Sequence, residues 1–274
     1  MENKWTARPY ILWMMIFVLI PLFLILYFSF TVKTPEGTTL SFENYKRFFD
    51  PLYMDVLWRS IQLAFISTVI CFVFAYPLAM ILAGKEMSNK SIILLLVILP
   101  MWMNSLLRTY AWMTLLENNG IINTFLNSIG IPKLQLIYTD QAVVFGMVYN
   151  FFPFMVLPIY NVLIRIDQSI IEAAQDLGAN SRKVFMKITL PLSMPGVVSG
   201  VVMVFMPSLT TFVISSLLGG GQYTLIGNMI EQQFRTVNDW GFGSALSVVL
   251  MLIILVSIGI MSKYDSVEQG GGIL

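Results

Sequence analysis

Long apolar runs alternate with short polar segments along the whole chain. Six of these runs are about as long as the roughly 20 residues that a helix needs to cross a bilayer core of about 30 Å. Each run is continuous rather than alternating, which indicates helices rather than the strands of a membrane barrel. The predicted spans are residues 9–32, 60–83, 91–116, 141–164, 195–218 and 243–262. The pattern therefore predicts an all-α integral membrane protein, with residues 1–274 forming one domain of six transmembrane helices.

Charged residues are scarce and lie almost entirely outside these runs. Only 11% of the residues are charged, whereas about a quarter of a soluble domain is charged. Arg108 is the only charged residue within the six predicted spans. It lies toward the outer end of the third span, where we expect a structural role with hydrogen bonds to Asn104 or to carbonyls of the outer loop. The net charge of +1 argues against nucleic acid as a partner, which usually requires a basic patch.

The composition also argues against enzymes that work inside the membrane. The chain contains no histidine, and none of the six spans contains Asp or Glu. A histidine-based metal site and an intramembrane aspartyl pair are therefore excluded, and we predict no metal site. An ion-driven secondary transporter remains a rival, although such proteins usually carry more spans and more ionisable residues within the membrane.

Basic residues favour one orientation of the six spans. Cytoplasmic loops carry an excess of Lys and Arg. With a cytoplasmic N-terminus, the inner segments hold Lys4, Arg8, Lys85, Lys90, Arg165, Arg182, Lys183, Lys187 and Lys263. The outer segments then hold Lys33, Lys46, Arg47, Arg59, Lys133 and Arg235. The distribution predicts that both termini are cytoplasmic.

The inner connection between the fourth and fifth spans, residues 165–194, is patterned rather than featureless. Ser169 and Glu172 fit a capping box that begins a short helix. Gly178 fits the left-handed residue that ends such a helix. One face of this helix carries Ile170, Ala173, Ala174 and Leu177. Asn180 or Ser181 can cap a second short helix, which we expect to stop at Pro191. The segment is thus predicted to be a helix–turn–helix on the cytoplasmic face.

Residues of this connection resemble the EAA loop of ABC importer permeases. The match consists of Glu172-Ala173-Ala174, then Gly178 after three residues, then Ile188-x-Leu190-Pro191. In that family the first helix of the loop couples the permease to a separate ATPase subunit. The resemblance implies a coupling role for Glu172, Ala173, Ala174, Asp176 and Gly178. The alternative is a purely structural loop of another transporter, in which Glu172 and Gly178 only shape the helix.

The energy source is expected in another chain. No G-x-x-x-x-G-K-[ST] phosphate-binding loop occurs in the sequence. ATP and Mg²⁺ are therefore expected in the ATPase partner, and no cofactor is predicted in this chain. The family resemblance implies the type I importer permease fold and location in the bacterial inner membrane. It also implies three kinds of partner, namely a second homologous permease, two ATPase subunits and an external binding protein.

The resemblance extends to spermidine/putrescine permeases of the PotB type. It is carried by residues 50–64, by LPMWMNSLLRTYAWMTLLENNGIIN at 99–123, by MPSLTTFVISSLLGGG at 206–221 and by LIGNMIEQQF at 225–234. These stretches imply that the chain forms half of a pathway for polyamines. Related permeases for iron, thiamine, phosphonates and sulfate share the loop and part of the third-span pattern, so these solutes are the alternatives.

A polyamine needs carboxylates, aromatic faces or water along its route. Because the spans lack acids, we expect carboxylate contacts at the outer mouth. The candidates are Glu117, Asp140, Glu231 and Asp239, with Tyr223, Glu231 and Asp239 hypothesised to pass the cation into the pore. Each acid can alternatively be a solvated loop charge.

The fifth span is expected to line the pore. Ser208, Thr210 and Thr211 would supply hydroxyls near a kink at Pro207. These hydroxyls can alternatively bond to their own helix or to a neighbouring one.

Overall fold

The structure is a computed structural model that describes residues 8–34, 37–84, 90–221 and 223–269. The prediction of an all-α membrane fold is confirmed, apart from one small hairpin outside the spans. Lys4 and Lys85, which were counted for the orientation, lie outside the described residues. That residues 1–274 form a single domain remains a prediction.

Helix α1 covers the first span and contains a π-helical turn. Its parts are Arg8–Met14, the π-turn Met15–Leu19 and Ile20–Ser29. Strands β1 (Thr31–Thr34) and β2 (Gly37–Leu40) follow as an antiparallel hairpin. The predicted extension of this span to residue 32 is wrong, because the chain turns into the hairpin after Phe30.

The second and fourth spans are long unbroken helices. A short helix α2 (Glu43–Phe48) leads into α3 (Pro51–Ala83), which begins nine residues before the predicted second span. Helix α7 (Asp140–Leu163) covers the fourth span within one residue of the prediction. The sixth span lies within α12 (Trp240–Gln269).

The third span is broken, contrary to the single helix predicted for residues 91–116. Helix α4 (Lys90–Trp102) ends after Pro100, and α5 (Ser105–Leu116) begins at a sharp bend. With α6 (Ile121–Ser128) continuing from α5, the two arms are bent by 97°. Asn104 fixes the break, since its side-chain Oδ1 accepts hydrogen bonds from the backbone N–H groups of Leu106 and Leu107. A capped N-terminus begins a new helix rather than continuing the old one.

The fifth span also departs from its predicted bounds of 195–218. Helix α9 runs from Ser181 to Thr210, with a π-turn at Phe185–Thr189. Pro191 does not stop a separate helix as predicted, because the wider π-turn precedes it and the helix continues through it. The chain instead breaks after Thr210, three residues beyond the expected kink at Pro207. Helix α10 (Val213–Leu218) follows the break.

The ends of the long helices lie on two opposite sides of the molecule. One cavity is lined by Gly84, Lys90, Gln168 and Thr189, which places the end of α3, the start of α4 and the start of α9 on the same side. Arg59, in the first third of α3, bonds to Asp140 at the start of α7 on the opposite side. The chain from α4 to α7 therefore crosses once, so the bent pair is a single broken span.

The remaining helices complete the pattern. Helix α11 (Ile226–Gln232), extended by a π-turn at Gln233–Val237, lies beside the end of α9, and α12 begins beside the end of α1. The chain therefore crosses six times between the two sides of the molecule. The described ends of the chain, Arg8 and Gln269, thus lie on the same side as the 165–189 connection.

The core is formed by α3, α7 and α9, which pack closely. Glycines allow this approach, because a Cβ at Gly196 would lie 2.7 Å from the Pro158 carbonyl oxygen, and one at Gly200 would lie 2.8 Å from Met155 Sδ. Small residues at helix contacts are the usual means of association in membranes. A buried hydrogen bond of 2.7 Å also joins Tyr76 on α3 to Ser193 on α9.

Candidate coupling surface and substrate pathway

The EAA-like segment forms a short exposed helix, α8 (Gln168–Asp176). Its N-cap is Asp167, whose carboxylate Oδ1 accepts a hydrogen bond from the backbone N–H of Ser169 at 3.0 Å. The predicted capping box of Ser169 and Glu172 is therefore wrong by two residues. The hydrogen bonds from Ser169 hold the pKa of the Asp167 carboxyl below its ordinary value. An ionised acid at this position also favours the positive end of the helix.

The C-terminal end of α8 is closed by Gly178, as the sequence predicts. Gly178 has φ +80°. Its N–H donates to the Gln175 carbonyl at 2.8 Å, and the N–H of Ala179 donates to the Ala174 carbonyl at 3.0 Å. This pair of hydrogen bonds is the Schellman arrangement, in which the left-handed residue allows both donors to turn back onto the last helical turn.

Two large apolar side chains are exposed on α8 and at its C-cap. Leu177 is 90% exposed and Ile170 is 45% exposed. Glu172, Ala173 and Asp176 are also exposed, so the predicted coupling residues share an open surface. Isolated exposed apolar residues are common in proteins. A nearly fully exposed leucine at the end of a doubly capped helix is nonetheless a ready contact for another protein.

The inner face of α8 lies over a large cavity. This cavity measures about 1020 Å³ and is lined by Gln168 and Ile171 of α8 together with the inner ends of α3, α4 and α9. Helix α8 and the ends of α3, α4 and α9 thus face the same cavity.

On the side of the molecule opposite to α8, called the outer side after the predicted orientation, Asp239 has a structural role. It is the N-cap of α12, where its Oδ1 accepts from the Phe242 N–H at 3.1 Å. Its Oδ2 accepts from Arg47 Nη1 at 2.9 Å. The Arg47 guanidinium lies 4.1 Å from the centroid of the Phe242 ring. These contacts hold the carboxylate in place between α2 and α12.

Glu231 and Glu117 have different surroundings. Glu231 on α11 pairs with Arg235 one turn later, at 2.8 Å. Glu117 is exposed and is the C-cap residue of α5, and its backbone carbonyl accepts from the Asn123 side chain at 3.2 Å. Among the described residues, Tyr223, Glu231 and Asp239 have separate partners, so the hypothesis that they act together gains no shared contact there.

The predicted hydroxyl residues lie at the outer end of α9. Ser208 is fully buried, and its Oγ has no hydrogen-bond partner among the described residues. Thr210 Oγ1 donates a hydrogen bond to the Met206 carbonyl of its own helix at 3.1 Å. This is the alternative that the sequence analysis gave to a role in the pore. Thr211 is the half-buried C-cap residue of α9. Thr210 and Glu231, two of the predicted pathway residues, line the same groove of about 420 Å³.

Asp140 and Tyr223 both contact Arg59, which the sequence analysis did not select as a candidate site residue. Arg59 Nη2 lies 2.8 and 2.7 Å from the two carboxylate oxygens of Asp140. The Arg59 guanidinium carbon also lies 4.4 Å from the centroid of the Tyr223 ring. The three residues come from α3, from α7 and from the connection between α10 and α11.

Arg59 and Asp140 line a groove of about 820 Å³ between α3 and α7. Its outer end carries Asp55, Arg59, Gln62 and Gln141, and its inner end is apolar. Residues 55, 59 and 62 have the i, i+4, i+7 spacing of one helix face. This polar stripe was a usable signal, but starting the second span at residue 60 concealed it.

Arg108 does not make the hydrogen bonds expected of it. It is 7% exposed, and its Nε and Nη1 atoms have no partner in the part of the chain that the structure describes. Its guanidinium lies 5.9 Å from the centroid of the Tyr149 ring. Asn104, the expected partner, uses its side-chain oxygen to cap α5 instead.

Comparisons with known proteins agree with this architecture. Residues 1–266 match the family of binding-protein-dependent transport system inner membrane components. The chain is 38% identical to the spermidine/putrescine transport system permease protein PotB of Haemophilus influenzae, over 93% of this chain and 91% of that protein. It is 37% identical to PotB of Escherichia coli K12, over 88% and 90% of the respective chains.

Solved structures with the same fold are ABC importers. A bacterial transporter that imports the acidic polysaccharide alginate aligns with a TM-score of 0.80, 18% identity and 96% coverage of both chains. The MetNI methionine transporter aligns with a TM-score of 0.58 and 18% identity, covering 79% of this chain and 96% of that one. The alginate transporter has also been solved with a periplasmic protein bound. With six crossings, an exposed inner loop helix and this family match, the chain belongs to the binding-protein-dependent transport system inner membrane components, the permease subunits of ABC importers.

Proposed function

We propose that this permease carries polyamines, spermidine or putrescine, across the bacterial inner membrane. The observation that carries the proposal is the identity of 37–38% to two PotB proteins over about nine-tenths of each chain. The groove between α3 and α7 adds chemical support. Two carboxylates at its outer end suit the ammonium groups of a polyamine, and its apolar inner walls suit the methylene chain.

The driving force comes from ATP bound with Mg²⁺ in separate ATPase subunits. In this proposal, α8 docks on an ATPase through Leu177, Ile170 and the exposed coupling residues Glu172, Ala173, Asp176 and Gly178, with Ala174 supporting the helix from its half-buried side. The capped helix moves as a rigid body, because both of its ends are closed by hydrogen bonds. Its motion reaches the inner ends of α3, α4 and α9 through the cavity wall that they share.

The proposal also fixes the orientation. ATP is cytoplasmic, so α8 faces the cytoplasm, and Arg8 and Gln269, the described ends of the chain, lie on its side. The groove and the outer acids then face the binding protein that delivers the polyamine. A second, homologous permease supplies the other half of the pathway, and two ATPase subunits serve the pair.

The test is transport by the purified complex in proteoliposomes. The complex contains both permeases and the ATPases, and the binding protein is added outside. We expect labelled putrescine or spermidine to accumulate only with ATP and the binding protein, and to continue when an ionophore abolishes ion gradients. Uptake of iron, thiamine, phosphonate or sulfate without uptake of either amine would contradict the cargo. Dependence on an ion gradient instead of ATP would contradict the coupling.

A further inference from the structure

The contacts of Arg59 define a site with the shape of a cation receptor. Its guanidinium is held by both oxygens of the Asp140 carboxylate and by the face of the Tyr223 ring. A carboxylate and an aromatic face are the two groups that bind organic ammonium ions best in proteins. The Arg59 guanidinium thus occupies a site that would accept a primary ammonium group.

This site remains open to substrate. The Arg59 and Asp140 side chains are 37% and 38% exposed. Both residues line the 820 Å³ groove. An ion pair with this exposure contributes little to stability, and a divalent or trivalent amine can replace it. Displacing the guanidinium therefore requires little free energy.

The charge balance of the groove provides a place for the displaced arginine. Among the residues that line it, Asp55 and Asp140 are acidic and Arg59 is basic, which leaves one net negative charge. Asp55 lies four residues before Arg59 on α3, at the spacing that allows an ion pair on a helix surface. When an ammonium group binds Asp140, the guanidinium can turn to Asp55, so that neither Arg59 nor Asp55 is left without a partner.

We propose that Asp140 and Tyr223 form an outer subsite for one ammonium group of the cargo, and that Arg59 occupies this subsite until the cargo displaces it. The inference rests on the proposed polyamine function and deepens it by naming the subsite. Because Arg59 also links α3, α7 and the connection before α11, its displacement loosens contacts among three elements when cargo arrives. Arg59 is thus a specificity-determining residue that admits only solutes able to replace a cation.

The test measures binding of spermidine and putrescine to the complex of permeases and ATPases in nanodiscs, without the binding protein. Arg59→Gln removes the resident cation, and Asp140→Asn removes the carboxylate. Lys133→Gln is the matched control, because it removes a basic charge from an exposed outer loop where, among the described residues, Lys133 donates a hydrogen bond to Asn119. Tyr223→Phe and Tyr223→Leu separate the ring from the hydroxyl.

We expect Arg59→Gln to bind the amines about three- to thirtyfold more tightly, since an ion pair and a cation–π contact no longer compete. Asp140→Asn should bind roughly tenfold more weakly or worse, because a charge-assisted hydrogen bond is lost. Tyr223→Leu should weaken binding about two- to fivefold. Tyr223→Phe and Lys133→Gln should match the unmodified complex.

Binding that is unchanged or weaker in Arg59→Gln would overturn the subsite and leave the ion pair purely structural. Absence of binding in both the unmodified complex and Arg59→Gln, while uptake remains specific for polyamines, would also overturn it. Binding detected only in Arg59→Gln supports it. If the unmodified importer transports no polyamine at all, the proposed function itself fails, which is a separate result.

Discussion

Replacing Gly178 with alanine isolates the backbone conformation that closes the coupling helix α8. Gly178 has φ +80°, and a Cβ built at this position meets no atom within 4 Å. The added methyl group is therefore not blocked by any of the described residues. The cost is that of the left-handed conformation for an L-residue, about 1–2 kcal/mol. This corresponds to a factor of roughly 5–30 in the local equilibrium between the closed and the frayed helix end.

Gly130 provides an unusually close control. It has φ +81° and no atom within 4 Å of a built Cβ, but it lies in the outer connection after α6. Gly130→Ala thus carries the same backbone cost on the opposite side of the membrane. Gly178→Asn adds a second comparison at the coupling site, because asparagine tolerates the left-handed region better than alanine.

The assay is the affinity of the purified ATPase for the permease pair in nanodiscs, followed by ATP-dependent uptake. We expect Gly178→Ala to weaken this affinity by up to about 5–30-fold, since only the closed form of α8 is competent to bind. Gly130→Ala should leave it unchanged, and Gly178→Asn should lie between. Equal losses in the two alanine variants would refute the reasoning. A larger loss in Gly178→Asn than in Gly178→Ala would show that side-chain bulk at the interface matters rather than φ.

Three further changes test the coupling helix and the core. Leu177→Ala should weaken ATPase binding about tenfold or more, because burying a leucine contributes about 1.5–3 kcal/mol, while the Tm of the permease stays unchanged; a lowered Tm would place Leu177 in the fold instead. Gly196→Ala should destabilise the contact of α7 with α9 by about 1–3 kcal/mol and lower the Tm. Gly259→Ala, whose new Cβ has no described atom within 4 Å, should leave the Tm unchanged. Similar Tm values for the two variants would contradict the close approach of α7 and α9. The depressed pKa of Asp167 means that its cap is fully present above the ordinary pKa of aspartate and is lost as pH falls through the depressed value. The hydrogen-exchange protection factors of the α8 amides, which correct for the intrinsic pH dependence of exchange, should therefore fall at acidic pH in the unmodified protein but not in Asp167→Asn, which keeps an uncharged cap. Equal pH dependence of the protection factors in both proteins would refute this.

Hydropathy located the six crossings because a bilayer imposes one length on every span. It could not locate the breaks at Asn104 and Thr211, because averaging over about 20 residues hides a single residue that begins or ends a helix. The local signal was nevertheless present at Asn104, which is a preferred N-cap type three residues before Leu107. At the start of α8, Asp167 and Ser169 were both acceptable caps, and only the three-dimensional path of the chain after Leu163 decided between them.

The loop helix was predictable because its determinants are local. Gly178 acts on the residues immediately before it, so its spacing from Glu172 carried the information. The partners of the outer acids were not predictable in this way. Arg47 lies 192 residues from Asp239, and Arg59 lies 81 residues from Asp140. Contacts at such separations depend on how the helices pack, which no local pattern encodes.

The acids that the sequence selected for a cation are thus mostly engaged by arginines, and their geometry ranks them. Asp239 also caps α12, so freeing it would cost a helix cap in addition to an ion pair. Glu231 pairs with Arg235 on the same element, so exchanging that partner moves no helix relative to another. Asp140 differs from both, because Arg59 reaches it across a groove from another helix and stacks on a third element. A cation that replaces Arg59 there changes the contacts among three elements at once, and this is the property that an outer site must have if arriving cargo is to be sensed by the rest of the permease.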